Sequence, residues 1–299
     1  MAKSHDTSAR APERSEGRAC PQAGAAEGAA GEKPAVPEGA QTGVSAPGED
    51  APARRGVLIT FEGGDGAGKS THIRYVADEL SRAGREVVRL REPGGTPVGE
   101  SLRRVVLDPA HGELSDGAEL LIYEAARAQL VSEVIEPALA RGAVVLCDRF
   151  TDSTIAYQAY GRGLPIDFVR RANAFATHGI VPDRTILLVC GGARTGLARA
   201  TGSGAGDRLE QAGEAFHARV NKAFLKLAKR DPKRIRVVHS SKSRRQTAAA
   251  VARELVDLLP ELEERAKSAP AAPSNAKGPS SQRSKKRSGR GKGRGARRG

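Results

Sequence analysis

Short apolar runs alternate with longer stretches of mixed polarity through the middle of this 299-residue chain. The apolar runs lie at residues 56–61, 86–91, 143–147, 185–190 and 235–238. Most of them are continuously apolar rather than alternating, which is typical of strands that are buried on both faces of a sheet. The stretches between them predict helices at residues 69–83, 97–108, 115–140, 209–229 and 246–259, with further helical segments as far as residue 178.

This order of elements predicts an α/β fold. Strands that alternate with helices are joined by right-handed crossovers into a parallel sheet, and the helices cover both of its faces. The sequence therefore predicts five parallel strands in a three-layer arrangement. In sheets of this kind ligands bind at the carboxyl ends of the strands. We expect the functional residues in the loops that follow the strands.

Composition divides the chain into three parts. Residues 1–53 are mostly Ala, Gly, Pro, Glu and Ser without an aromatic residue, and residues 266–299 are rich in Ala, Ser, Gly, Lys and Arg. Neither segment carries enough apolar surface to offset the entropy that is lost on folding. We predict disordered extensions at 1–53 and 266–299 and one folded domain at 54–265.

Charge is concentrated in the C-terminal segment. Residues 266–299 contain eleven Lys and Arg and no Asp or Glu, and the whole chain has a formal net charge of +14. Such a basic tail predicts non-specific binding to nucleic acid, and a solvated extension without a partner is the alternative. The longest apolar runs have about five residues, far fewer than the roughly 20 that span a bilayer. No membrane-spanning helix is expected, and the cytoplasm is the predicted location.

A phosphate-binding loop is predicted after the first strand. Residues 63–70 read Gly-Gly-Asp-Gly-Ala-Gly-Lys-Ser, which satisfies the pattern G-x-x-x-x-G-K-[ST] between a strand and a helix. The glycines let backbone N–H groups converge on phosphate, Lys69 reaches the β- and γ-phosphates, and the Ser70 hydroxyl is placed on Mg²⁺. A glycine-rich turn is the alternative, but the flanking strand and helix favour the phosphate loop.

The next two predicted strands end in charged residues. Arg91 ends the second strand and offers a bidentate donor to a phosphate. Asp148 and Arg149 follow the third strand. In a chain with a phosphate loop, an acid at this position is where the carboxylate that organises Mg²⁺ belongs, and the neighbouring Arg can bind phosphate.

The chain resembles the thymidylate kinases, a family of P-loop nucleoside monophosphate kinases. The resemblance rests on residues 61–71, Arg-Glu-Pro-Gly-Gly-Thr at 91–96, Ala-Ala-Arg-Ala-Gln-Leu at 125–130, Asp148-Arg149, Ser153-Thr154 and Ala-Tyr-Gln at 156–158. Shorter matches at 161–163 and 207–210 extend it. The resemblance covers residues 55–259 and implies the P-loop NTPase-type fold.

The resemblance also implies roles for individual residues. The phosphates of ATP would be bound by Gly63, Gly64, Asp65, Gly66, Ala67, Gly68, Lys69, Ser70 and Thr71. The acceptor dTMP would contact Asp65 near its 3′-hydroxyl, Arg91 and Arg149 at its phosphate, Arg127 and Thr154 at the base edge, Tyr123 on the thymine face and Tyr157 at the 2′ position. Lys69, Arg91 and Arg149 would be catalytic, and Ser70 and Asp148 would hold the metal.

The predicted lid departs from the family pattern. Relatives that lack an Arg inside the phosphate loop usually carry several arginines in the lid, whereas residues 200–206 here read Ala-Thr-Gly-Ser-Gly-Ala-Gly. Arg199 and Arg208 flank this stretch. We expect these two arginines to replace the missing lid cations, with Arg199 as a catalytic residue.

The resemblance implies Mg²⁺-dependent transfer of the ATP γ-phosphoryl group to dTMP, giving ADP and dTDP, by a homodimer. Such a reaction needs alignment and charge neutralisation rather than a strong general base, because the acceptor phosphate is already an anion. Two alternatives remain open. One is a kinase for another deoxynucleoside monophosphate, and the other is a lid-impaired P-loop module that its basic tail tethers to nucleic acid.

Overall fold

The computed structural model describes residues 55–190, 206–240 and 243–267. Its strands are β1 (Val57–Glu62), β2 (Val87–Arg91), β3 (Val144–Asp148), β4 (Arg184–Val189) and β5 (Ile235–His239). They form one sheet in the order β2-β3-β1-β4-β5, and every neighbouring pair is parallel. The predicted α/β fold with five parallel strands is confirmed.

Helices pack on both faces of this sheet. In chain order they are α1 (Lys69–Arg82), α2 (Pro97–Leu107), α3 (Asp116–Leu130), α4 (Glu136–Ala140), α5 (Thr151–Thr154), α6 (Ile166–Ala176), α7 (Glu214–Arg230), α8 (Arg244–Arg253) and α9 (Glu263–Lys267). The three-layer arrangement agrees with the prediction.

Successive residues of β1 face opposite layers. Ile59 and Phe61 are buried in a cluster with α1, α8 and α9. Leu58 is buried in a second cluster, with α4 and the end of α3. A further cluster packs α7 against β4 through Phe216, Val220 and Leu187. Because both faces of the central strands are buried, their sequences are continuously apolar.

The predicted helix at 115–140 is not regular. Helix α3 passes into a π-helical segment at Val131–Ile135 before α4 begins. Pro137, in the first turn of α4, has no N–H to donate to the preceding turn, and the wider π-helical turn precedes it. Helical structure spans the predicted range without forming one uniform helix.

Helix α7 begins later than predicted. The range 209–229 was expected to be helical, but Gly213 has a φ of 88° and separates α7 from the short 3₁₀ turn Glu210–Ala212. A positive φ is incompatible with a continuous right-handed helix. The Asp207 carboxylate accepts hydrogen bonds from the N–H groups at the start of that turn.

Helix α8 is displaced from the predicted range 246–259. It begins at Arg244, where the Ser243 hydroxyl accepts a hydrogen bond from the Gln246 N–H at 3.4 Å. It ends at Arg253, and the Arg184 guanidinium binds the carbonyl of the next residue, Glu254. A side chain from β4 thus donates a hydrogen bond to the carbonyl at which the helix stops. The local sequence does not reveal this contact.

The last described helix reaches slightly beyond the predicted domain. Helix α9 ends at Lys267, two residues past 265, and Ala266 is buried. Residues 1–54 and 268–299 lie outside the described residues, so the division into a folded domain and two disordered extensions stays a prediction. Within 55–190, 206–240 and 243–267, no helix has both the length and the apolar character needed to cross a membrane.

Helices α3 and α6 pack against each other and expose large apolar side chains. Phe168 and Phe175 lie seven residues apart on α6, so they share one face of that helix. Phe175 is 84% exposed, and Leu121 on α3 is 59% exposed. The two helices therefore present apolar side chains at the surface.

Candidate active site

A cavity of about 810 Å³ lies at the carboxyl ends of β1, β2 and β3. Most residues of the predicted site line it: Asp65, Gly66, Ala67, Gly68, Lys69, Ser70, Thr71, Arg91, Tyr123, Arg127, Asp148, Arg149, Thr154 and Tyr157. Gly63 and Gly64 instead line a second cavity of about 330 Å³. Arg199 lies outside the described residues. Three strand ends thus contribute to one space, as the parallel sheet predicts.

The loop between β1 and α1 is tightly wound. Gly63 and Gly68 have φ values of 131° and 93°, in the region that favours glycine. A Cβ on Gly63 would lie 2.2 Å from the carbonyl oxygen of Leu188, so no larger residue fits there. Lys69, the first residue of α1, donates hydrogen bonds to the carbonyls of Gly63 and Gly64, each at 3.2 Å. The helix N-terminus and the lysine together provide a site for phosphate.

Ser70 and Asp148 meet at one side of the cavity. The Ser70 hydroxyl donates a hydrogen bond of 2.6 Å to Oδ2 of Asp148. A hydroxyl and a carboxylate are the oxygen ligands that Mg²⁺ prefers, so this pair fits the predicted metal site. The described parts of the chain hold no cluster of three or more His, Cys, Asp or Glu that could bind a metal. A Mg²⁺ ion here would take its other ligands from phosphate and water.

Arg149 lies at the centre of the cavity wall and makes several contacts. Its guanidinium forms an ion pair with Asp65 and donates to the Gly63 carbonyl and the Ser153 hydroxyl, both at 3.2 Å. It also lies over the Tyr157 ring, 5.1 Å from the ring centroid. The side chain is therefore placed between the phosphate loop and α5.

Neighbouring cations stabilise the negative charge of Asp65. Burial raises the pKa of the Asp65 carboxyl, but the charges of Arg149 and Lys69 outweigh burial, and the pKa falls below its ordinary value. The Tyr157 hydroxyl adds a long hydrogen bond of 3.4 Å to the same carboxylate. Asp65 is ionised at neutral pH in this environment.

Arg91 lies at the rim of the cavity. Its guanidinium is half exposed and donates to both carboxylate oxygens of Glu100, at 3.0 and 3.1 Å. Glu100 also accepts a hydrogen bond from the Gly95 N–H at 2.9 Å. An exposed ion pair of this kind is weak, so Arg91 can exchange Glu100 for a phosphate.

Arg127 is almost fully buried, and its side chain is held by three residues. Nε and Nη2 donate to one oxygen of Glu92, at 2.9 and 2.6 Å. Nη1 donates to Glu124 at 3.0 Å and to Asn173 at 2.7 Å. A guanidinium has five N–H groups, so these contacts leave one, on Nη2, without a partner among the described residues. Arg127 therefore offers the cavity a single donor.

The aromatic and hydroxyl residues complete the same end of the cavity. Tyr157 is 4% exposed and packs edge-on against Phe216 and Phe224, with ring centroids 6.0 and 6.2 Å apart. Thr154, in α5, is buried. Tyr123 is partly buried and lines the cavity from α3. These three side chains and Arg127 give a pocket for a planar ring with polar edges.

Further residues line the cavity for which no site role was predicted, among them Arg103 in α2, Arg244 in α8, Gln158 and Asp207. Gln158 and Asp207 lie in stretches that carry the family resemblance. Arg103 donates to the Pro93 carbonyl at 2.9 Å. In the sequence, Arg103 is one charged position of an amphipathic helix and has no local signal that separates it from a surface charge.

Arg208 does not line the cavity in this structure. It forms an ion pair with Glu119 and donates to the Val106 carbonyl at 3.0 Å, and its side chain is largely buried. Glu119 also accepts hydrogen bonds from Gln158 and Arg162. The guanidinium of Arg208 thus lies outside the cavity lining, and its expected role as a cation for the transferring phosphoryl group stays a prediction.

Comparisons with known proteins identify the family of this chain. Residues 61–251 match the family model for thymidylate kinase. A thymidylate kinase of Geobacter sulfurreducens is 47% identical over 211 residues, which cover 69% of this chain and 99% of that protein. One from Pseudomonas putida is 46% identical over 210 residues, covering 70% of this chain and 98% of that protein.

A solved structure supports the same relationship. The crystal structure of thymidylate kinase from Ehrlichia chaffeensis is 31% identical in sequence, with a TM-score of 0.55, and the match covers 69% of this chain and 99% of that one. Sequence and fold agree over nearly the whole length of each relative. The chain belongs to the thymidylate kinase family.

Proposed function

We propose that the γ-phosphoryl group of ATP is transferred to the 5′-phosphate of dTMP within the 810 Å³ cavity. The observation that carries this proposal is the convergence of the phosphate loop, Asp148-Arg149 and the Arg127 donor on one cavity. Family membership makes the chain an ATP-dependent nucleoside monophosphate kinase that forms dTDP and ADP. It disfavours both a kinase for another deoxynucleotide and an inactive P-loop module.

The phosphate loop forms the ATP end of the cavity. Backbone N–H groups at the start of α1 would bind the β-phosphate, and Lys69 would leave the carbonyls of Gly63 and Gly64 to reach the β- and γ-phosphates. Ser70 and Asp148 would hold Mg²⁺, whose chemistry is to neutralise charge on those phosphates. The reaction then depends on alignment and on cations at the transferring group.

Arg149 and Arg91 form the acceptor-phosphate end. Both guanidinium groups can bind a phosphate through two N–H groups, and both pair with a carboxylate of the chain. The dTMP phosphate would displace Glu100 from Arg91 and share Arg149 with Asp65. Asp65 would then face the sugar and accept a hydrogen bond from the 3′-hydroxyl.

The base would lie between Tyr123 and the end of α5. The single free donor of Arg127 suits one carbonyl oxygen of thymine, and the Thr154 hydroxyl can accept the N3–H. Tyr123 would supply a ring face for stacking. Tyr157, held in place by Phe216 and Phe224, would leave no room for a 2′-hydroxyl.

The apolar face of α3 and α6 supports the proposal of a homodimer. Leu121, Phe168 and Phe175 together expose apolar area on two adjacent helices, and such faces mark interaction sites. A second copy of the chain offers the same face, and a symmetric dimer joins identical patches. The cytoplasmic location predicted from the sequence stays a prediction.

Activity on dTMP and its dependence on Lys69 test the proposed reaction. In a coupled ADP-release assay with ATP and Mg²⁺, we expect the full chain to use dTMP in preference to dUMP, dCMP and dGMP. Lys69→Ala should lower kcat by about 100- to 1,000-fold, because a donor to the transferring phosphoryl group is lost. Circular dichroism of the variant serves as the folding control. Full turnover in folded Lys69→Ala would contradict the assignment of the phosphate loop.

Tyr157 should determine the preference for deoxyribose. We expect Tyr157→Ala to raise the ratio of kcat/KM for ribothymidine monophosphate over dTMP by about tenfold, because a clash with the 2′-hydroxyl is removed. Tyr157→Phe is the matched control, since it keeps the ring and should keep the preference. An unchanged ratio in Tyr157→Ala would mean that the ring only packs against its aromatic neighbours.

Charge placed on the exposed face of α6 should separate the dimer. In sedimentation velocity we expect the wild-type chain to run as a dimer and Phe175→Asp as a monomer, because a buried unpaired carboxylate opposes association. Leu225→Asp on α7, which is also exposed, is the control and should remain dimeric. A wild-type monomer at all concentrations would exclude the proposed dimer.

The basic tail should bind nucleic acid independently of its sequence. If about five phosphates are neutralised, log affinity for duplex DNA should fall with log salt with a slope of roughly −4 to −5. The matched variant replaces the nine Lys and Arg between residues 283 and 298 with Gln at constant length. It should lose DNA binding and keep kinase activity. Equal DNA binding by both proteins would show that the tail is not the binding element.

A further inference from the structure

Arg149 has an unusual backbone conformation. Its φ is 70°, and among the described non-glycine residues only His178 shares a positive φ. This left-handed region is disfavoured for residues with a Cβ and persists where surrounding interactions enforce it. The N–H of Arg149 donates to the Phe61 carbonyl at 3.0 Å, which is one such interaction. The Cys147 thiol donates to the Arg149 carbonyl at 3.1 Å, and further interactions come from the residues that follow Arg149.

Glu62 supplies those interactions. This last residue of β1 is completely buried, yet its carboxylate faces the start of α5. One oxygen accepts the N–H of Phe150 at 2.8 Å and the N–H of Ser153 at 3.1 Å. The other accepts the Ser153 hydroxyl at 2.6 Å. Three hydrogen bonds thus tie the segment after Arg149 to the end of the central strand.

Ser153 connects this carboxylate to the arginine side chain. Its hydroxyl donates to Glu62 and accepts a hydrogen bond from Nη1 of Arg149 at 3.2 Å. The backbone contacts of Glu62 fix where the Arg149 Cα lies, and the Ser153 bridge fixes where its guanidinium points. Both effects act on the residue that the proposed function places at the acceptor phosphate.

We propose that Glu62 is a positioning residue for the reaction, which acts through Ser153 and the backbone of residue 150 to hold Arg149 against the acceptor phosphate. The proposal rests on the proposed function of Arg149. A conformationally strained arginine that is held by a buried acid would be ready for phosphate before the substrate arrives, and such preorganisation contributes to catalysis.

A purely structural role for Glu62 is the competing explanation. Burial raises the pKa of Glu62 to about 7, with nearby Asp152 adding to the rise, so the ionised carboxyl is costly in this position. An acid that merely completed the core would be served as well by an uncharged residue. The two explanations differ in one respect: only a positioning role requires Arg149 to be present.

The experiment is a double-mutant cycle on the full chain. Glu62→Ala, Glu62→Gln and Ser153→Ala are each made with Arg149 intact and with Arg149→Ala. The kcat and KM values for dTMP and for ATP are measured at about pH 8.5, where most of the Glu62 carboxyl is ionised. A cycle of this kind isolates the effect that one residue exerts through another.

We expect the losses to fall on dTMP and to require Arg149. Glu62→Ala should lower kcat/KM for dTMP by about 100-fold, and Ser153→Ala by a smaller factor, with KM for ATP unchanged. Glu62→Gln should recover much of the loss, because its amide oxygen can still accept the two backbone N–H groups. In the Arg149→Ala background each of these changes should have little further effect.

Asp152→Asn is the matched control. Asp152 is a buried acid in the same short helix, and its carboxylate binds Arg234 and Thr185. Its charge also raises the pKa of Glu62, so loss of that charge leaves Glu62 ionised at pH 8.5. The Asp152→Asn variant should have a lower melting temperature. Its effect on dTMP turnover should be the same with Arg149 intact and with Arg149→Ala.

The possible outcomes distinguish a failure of the positioning role of Glu62 from a failure of the proposed function of Arg149. Losses from Glu62→Ala or Ser153→Ala that persist unchanged in Arg149→Ala would overturn the positioning role. If Glu62→Ala does not fold, the Ser153→Ala cycle decides in the same way, because a serine that contacts substrate directly would keep its effect without Arg149. Normal dTMP kinetics in Arg149→Ala alone would instead refute the proposed function of Arg149.

Discussion

The parallel pairing of β1 with β3 is the constraint on which the site depends. In this register Phe61 lies opposite Asp148, and the Arg149 N–H donates to the Phe61 carbonyl. The phosphate loop leaves β1 directly beyond that point, so Ser70 can reach Asp148. A slip of one residue would turn Asp148 to the other face of the sheet. The pairing of β2 with β3 then brings Arg91 to the same edge.

The two ends of the cavity hold their arginines in different ways. Inside the cavity wall, Arg127 uses four of its five N–H groups on Glu92, Glu124 and Asn173, and its side chain is buried. At the rim, Arg91 is half exposed and shares its charge with a single acid. Under the proposed function, the fixed donor would contact a base edge, where geometry discriminates, and the adaptable cation would contact a phosphate whose charge changes during the reaction.

The sequence predicted what depends on local pattern. Short runs of residues that favour strands located all five strands, and the signal is strongest in β1, β3 and β4, which are buried on both faces. The phosphate loop followed from the glycines and Lys69 between a strand and a helix. Helix ends were less predictable where a distant side chain intervened, as Arg184 does at the end of α8.

The support around the site could not be predicted for the same reason. The Glu62 carboxylate binds the N–H groups of Phe150 and Ser153, which lie 88 and 91 positions later in the chain. The Arg127 guanidinium binds Glu92, which lies 35 positions earlier. These contacts exist only once the sheet has formed. In the sequence, Glu62 belongs to the matched stretch 61–71 and Glu124 is an isolated acid, and no local pattern distinguishes a buried acid that orients an arginine from a solvated one.

The Asp65–Arg149 ion pair has a consequence for the anions that can bind at Arg149. An incoming anion must compete with a carboxylate that is already seated on the guanidinium. Under the proposed function, the 3′-hydroxyl of a nucleotide would supply Asp65 with a new hydrogen-bond donor, whereas sulfate carries no donor. An anion that binds Arg149 therefore has to compete with Asp65 or bring a hydrogen-bond donor for that carboxylate.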